Sequence, residues 1–250
     1  MYDIIIKRII HIFIAIFITI LVATIIALLI LKYNIEGEDN MPFELSSIAV
    51  FSKADGIDIE EQIENTRKLQ IAQNNDIYLQ ISKNKNYEET EIIDEVIIDN
   101  FKIDEAPNVG TVKLYRPTQN GNEKLPYENT EENEIKESLI YKGREKSSVK
   151  NLEIANQGGQ ILFRYSIENL GIYDTNKDVK QDGHLLSEVN VAYENLQCKM
   201  SFDLSIKLKS GIIYTGKITL DFPAGNVMQD GISYYEITDL KDIIFRRNLR

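Results

Sequence analysis

The sequence predicts a mainly β protein, with an N-terminal single transmembrane α-helix followed by an antiparallel β-sandwich-like extracytoplasmic domain. Three observations predict it. Residues 9–31, IIHIFIAIFITILVATIIALLIL, run for 23 positions without a formal charge. Residues 200–222 alternate apolar and polar side chains around a Lys-Ser-Gly turn. Elsewhere, short apolar runs are separated by clusters of Asn, Asp, Gly and Pro, the punctuation of strands and turns.

As a helix, 9–31 is about 34 Å long against a hydrocarbon core of roughly 30 Å. Its Leu, Ile, Phe and Val residues each favour the bilayer centre by about 0.3–0.6 kcal/mol, which absorbs Thr19, Thr24 and His11. Lys7 and Arg8 precede it, whereas Lys32 alone follows before Glu36, Glu38 and Asp39. The positive-inside rule therefore keeps residues 1–8 cytoplasmic, with 32–43 as a spacer and 44–250 outside. The apolar run is too long for a secretory h-region and lacks a small-x-small site, so a retained signal-anchor is expected. The only cysteine is Cys198, which excludes a lipidated N-terminal cysteine and an internal disulfide framework. A small buried side chain is the expected role for it.

Residues 33–250 hold all the charged side chains except Asp3, Lys7, Arg8 and Lys32, a formal charge of −13. That balance disfavours nucleic acid and anionic headgroups as partners. Within this domain, Met200, Phe202, Leu204, Ile206 and Leu208 share one face of a strand. Ile212, Tyr214, Gly216, Ile218, Leu220 and Phe222 continue it on the next. A three-residue loop ending in a left-handed Gly211 sets Leu208 opposite Ile212 and Ile206 opposite Tyr214.

Weaker patterns recur. LQIAQ and IYLQIS flank a turn expected at Asn74-Asn75-Asp76; VIIDNFKI ends before Pro107, and TVKLYRP stops at Pro117. LEIAN, through QGGQ, is expected to form a hairpin with ILFRYSIEN, with Ile161, Phe163, Tyr165 and Ile167 inward and Arg164, Ser166 and Glu168 outward. SYYEIT and IIFRR close a set of roughly ten strands. Asp58 with Glu61 forms a capping box for a short helix, and 185–196 is a second helix candidate. The acidic stretch GNEKLPYENTEENE, 121–134, reads as a long loop, with a sub-domain boundary within 118–134 as the alternative.

Catalytic patterns are sparse. His184 is the only histidine beyond the apolar run, no G-x-S-x-G elbow or Walker loop occurs, and Trp, a common sugar platform, is absent. One loop carries oxygen ligands at suggestive spacing: Asp174, Asn176 and Asp178 match positions one, three and five of an EF-hand-like loop, with Asp182 four residues on. Val179 replaces the turn glycine and Leu185 the bidentate glutamate, so the loop is not an EF-hand. A looser calcium site using these four residues is one reading, and Asx turn chemistry is the other. Arg246, Arg247 and Arg250 read as a solvated tail ahead of a contact for envelope polyanions.

The expected function is non-enzymatic, with no cofactor unless that loop takes calcium: a membrane-anchored protein, in the bilayer through its helix, that binds a protein partner at the cell envelope or scaffolds it. The alternatives are a calcium- or ligand-binding sensory module and, least favoured, a wall-acting hydrolase using paired carboxylates.

Overall fold

The computed structural model describes residues 2–59, 66–118, 127–144 and 152–248. Helix α1 (Tyr2–Glu36) is followed by eleven strands among these residues. Its segment Ile10–Glu36 is long and apolar enough to cross a membrane, with a mean hydropathy of 3.2. Among the described residues none buries its apolar stretch: Phe13 and Phe17 remain 69% and 67% exposed. Gly37, at φ +78°, ends the helix by donating its N–H to the Tyr33 carbonyl at 2.8 Å.

The strands form two sheets. One has the order β10 (Ser233–Ile237), β1 (Phe43–Asp58), β2 (Arg67–Lys83), β7 (Gly158–Thr175) and β4 (Thr111–Tyr115), with every pair antiparallel. The other has the order β11 (Phe245–Arg247), β9 (Ile213–Phe222), β8 (Cys198–Leu208), β3 (Ile93–Glu105), β5 (Leu139–Gly143) and β6 (Glu153–Ile154). Only β5 and β6 pair in parallel within it. One hydrophobic cluster draws on both sheets. Phe163 of β7 meets Phe202 of β8 edge-on at 5.2 Å, and Phe101 of β3 meets Phe163 at 5.7 Å. Tyr141 of β5 donates its hydroxyl to the Leu162 carbonyl at 2.5 Å, capping β7 just beyond the point where β4 stops pairing.

The β8–β9 hairpin has the expected register. Ile206 lies opposite Tyr214, the Leu208 N–H bonds the Ile212 carbonyl at 2.8 Å, and Gly211 takes φ +90°. Gly216 leaves room for Phe245: a Cβ there would meet the ring at 3.0 Å. Strand β11 in turn grips the helix end, since Arg247 N–H bonds the Tyr33 hydroxyl at 2.9 Å and Glu38 N–H bonds the Phe245 carbonyl at 2.9 Å.

Three local expectations fail. Asn74-Asn75-Asp76 is no turn, because β2 runs straight through it from Arg67 to Lys83. Asp58 ends β1 in an ion pair with Arg67 at 2.7 Å, and the short helix expected after it, with Glu61, falls outside the described residues. The 152–168 region is not a hairpin, since β6 pairs with β5 in the second sheet and β7 with β2 and β4 in the first. The turn at Ala155–Gly158, closed by the Gly158 N–H on the Ala155 carbonyl at 3.0 Å, transfers the chain between sheets, and a Cβ on Gly158 would lie 2.5 Å from the Ile81 carbonyl oxygen. Residues 185–196 make only a turn of α-helix, Leu185–Glu188, and a 3-10 turn, Tyr193–Asn195, separated by Asn190 at φ 56°. Within 118–134, residues 127–134 pack onto the first sheet; Ile135 N–H bonds the Leu114 carbonyl at 2.8 Å.

Candidate functional site

Strand β2 buries a polar run in the middle of a five-stranded sheet: Gln73, Asn74, Asn75 and Asp76 are at most 7% exposed. Buried polar groups are tolerated only when hydrogen-bonded, so each side chain must find partners. Those facing the shared core pair locally. Ser52 donates to Asn75 Oδ1 at 2.6 Å, Gln73 donates to the same oxygen at 2.8 Å, and Ala224 N–H bonds Ser52 Oγ at 2.8 Å.

The opposite face is built from three strands and one crossing segment. Register places Asp76 beside Arg164 and Asn74 between Ser166 and Lys53. Arg164 holds Asp76 with both ends of its fork, Nε to Oδ1 at 2.6 Å and Nη2 to Oδ2 at 3.0 Å, a geometry that strengthens charge-assisted bonds. Its remaining nitrogen donates to Asn129 Oδ1 at 3.2 Å, and Tyr127 lies 4.4 Å beneath the guanidinium carbon. Asn129 Nδ2 stands within 3.3 Å of Asn74 Oδ1, Ser166 Oγ and Glu168 Oε1. The crossing segment around Tyr127 and Asn129 thus roofs the charged pair, leaving the Arg164 side chain 5% and Asp76 10% exposed.

The electrostatics follow from this burial. Burial alone would lower the Arg164 pKa, but the Asp76 carboxylate outweighs it and the guanidinium stays charged, above its ordinary value. Burial pushes the Tyr127 hydroxyl well above the usual phenol range. Burial and the Glu168 carboxylate, which accepts from Tyr115 at 2.6 Å, raise Tyr115 as well.

Beside the roof a cleft of about 480 Å³ opens, within the range of small-molecule sites. Lys53, Asp55 and Ile57 of β1 form one wall, Tyr127 to Thr130 the other, and Gln181 closes one end. Gln181 is fixed there by accepting the Gly56 N–H at 2.6 Å. Lys53 and Asp55 pair at 3.0 Å, and Asn74 donates to the second Asp55 oxygen at 2.9 Å.

The loop with candidate calcium ligands lies elsewhere. Asp174 belongs to β7 opposite Lys68, while Asn176 and Asp178 are exposed in the turn that follows. Asp182 is buried, with its carboxylate held by Lys180 at 2.6 Å, by the His184 imidazole at 2.8 Å and by the His184 N–H at 3.0 Å. Among the described residues no group of three or more His, Cys, Asp or Glu is placed to hold a metal ion. A smaller cavity of about 260 Å³ adjoins Asp182 and His184.

Sequence reasoning missed Asp76, Arg164 and Asn129 because Asn-Asn-Asp is turn composition. A usable signal was the parity of β2: Leu69, Ile71, Ile77, Leu79 and Ile81 all fall on odd positions, so the inward face continues through Asn74-Asn75-Asp76 without a break. No protein-family model, curated protein or solved structure matches the chain.

Proposed function

We propose that this chain is a single-pass membrane protein whose domain is an extracytoplasmic β-sandwich that works by binding, as an interaction or scaffolding component of the cell envelope. The basic Lys7-Arg8 pair before the apolar helix and the acidic residues after it support an inward N-terminus. The shared core of the two sheets supports the sandwich.

What carries the binding role is the outer face of the first sheet. Phe51 stacks on Tyr234 at 5.4 Å and meets Tyr78 edge-on at 5.5 Å, yet Phe51 and Tyr234 remain 41% and 65% exposed, with Ile232 beside them at 56%. Exposed aromatic side chains of this kind are enriched at protein interfaces and supply their anchors. A photo-crosslinking residue at Tyr234 in the full chain in cells should give a discrete adduct, and one at Lys217 on the second sheet should not. Equal labelling at both positions, or none at either, defeats the proposal. A second reading, ligand binding, is favoured by the cleft beside Arg164, whose walls are held by hydrogen bonds before any ligand arrives.

A further inference from the structure

We infer that the cleft between the Lys53–Ile57 end of β1 and the Tyr127–Thr130 segment is a binding site for a neutral saccharide. This rests on the ligand-binding reading above and names the class of ligand. The positive groups at the cleft are already matched: Lys53 by Asp55 at 3.0 Å, and Arg164 by both oxygens of Asp76. Glu128 adds an exposed carboxylate at the rim. Among the described residues a phosphate or carboxylate entering the cleft finds no unneutralised cation, and an ammonium ligand finds Asp55 engaged by Lys53 and Asn74, with only the Glu128 carboxylate at the rim to meet it. Desolvating an ion without a partner is costly, so the interior of the cleft disfavours both, and an ammonium group is met only at the solvated rim.

It retains hydrogen-bonding capacity suited to hydroxyl groups. A guanidinium has five N–H donors and Arg164 uses three; Lys53 has three and one goes to Asp55. Gln181 spends its oxygen on Gly56, and its amide NH2 has no partner among the described residues. The Tyr127 side chain is 4% exposed, and its hydroxyl is buried with no hydrogen-bond partner among the described residues. A hydroxyl is both donor and acceptor, so a polyol can answer the donors of Lys53 and Gln181 at the cleft without bringing a charge. Ile57, 46% exposed, gives the cleft apolar surface for the C–H face of a sugar ring. The volume of about 480 Å³ admits one or two rings.

The test uses the full chain in lipid nanodiscs and ligand-detected saturation-transfer NMR. The probes are glucose, N-acetylglucosamine, galactose and cellobiose, with glucose 6-phosphate and glucosamine as charged counterparts. At least one neutral probe should bind about tenfold tighter than its charged counterpart, since one poorly matched charge-bearing contact outweighs 1.4 kcal/mol. Gln181→Ala combined with Lys53→Met should weaken that probe about tenfold while the ligand-free protein still melts cooperatively, a few degrees lower for the lost Gly56 and Asp55 contacts. Asp55→Asn, which frees the Lys53 ammonium, should move preference toward glucose 6-phosphate. Charged probes binding the wild type as well as neutral ones would overturn the saccharide assignment and leave ligand binding intact. No binding of any probe at about 10 mM, a free energy of roughly 2.7 kcal/mol, would overturn both.

Discussion

Removing the Asp76 carboxylate while keeping Arg164 should be among the most damaging single changes this domain can suffer. The two side chains are 10% and 5% exposed, so water does not screen what is left when one is deleted. In Asp76→Ala the guanidinium keeps Asn129 at 3.2 Å and the Tyr127 ring at 4.4 Å, neither of which carries a charge, and the more distant Asp55 carboxylate, which is already paired with Lys53. Breaking a buried pair from one side typically costs about 3–5 kcal/mol, against a total stability of about 5–15 kcal/mol. For a domain of this size that is a fall in melting temperature of roughly 6–20 °C. Replacing both partners, Asp76→Leu with Arg164→Met, should recover most of the loss, because a well-packed apolar pair is often neutral relative to a buried ion pair. Urea unfolding of the full chain in nanodiscs, followed by far-ultraviolet circular dichroism, gives the four corners of the double-mutant cycle. A single-variant loss below about 1 kcal/mol, or additive effects of the two changes, would show that the pair is solvated and the roof over it open.

Cys198 is buried, and that burial pushes its thiol pKa up to about 11. At pH 8 about one thiol in a thousand is ionised, so iodoacetamide should label the native protein far more slowly than the urea-unfolded chain. Equal rates would place the thiol at the surface. Asp182 provides a pH test. Burial raises its pKa, but Lys180, the His184 N–H and the His184 ring together lower it below the ordinary carboxylate value. A depressed native pKa means the stability it contributes is present above about pH 4 and is lost as pH falls through the lowered native value. Asp182→Asn should therefore flatten the acid limb of a pH–stability profile, and an unchanged limb refutes the assignment. Millimolar calcium should leave the melting temperature equal to that in chelator, because the Asp182 carboxylate is already held by Lys180 and His184. A gain of several degrees that Asp174→Ala with Asp178→Ala abolishes would instead make the loop a calcium site.

Side-chain periodicity carries what is local in this fold. The apolar helix, the faces of β8 and β9 and the opposition of Ile206 to Tyr214 depend on residues a few positions apart, and both the pattern and the turn act over that range. Turn composition misled where tertiary partners overruled it: Asn74 and Asp76 continue a strand because Ser166 and Arg164 on β7 satisfy them there. The absence of a 152–168 hairpin has the same origin, since β6 and β7 gain more by joining different sheets than by pairing with each other.

The sequence by itself determined the apolar helix, the mainly β character and which residues of each strand seek a core, because these are properties of the chain's own 3.6- and 2-residue periods. Only the tertiary structure decided that Asp76 meets Arg164, 88 residues later, and that Tyr127 and Asn129 close over them to leave a cleft. A strand's alternation states which face is apolar but carries no information on which strand lies beside it. The lateral order of the sheets is set by joint burial of the shared core and by the need of every buried polar group for a partner.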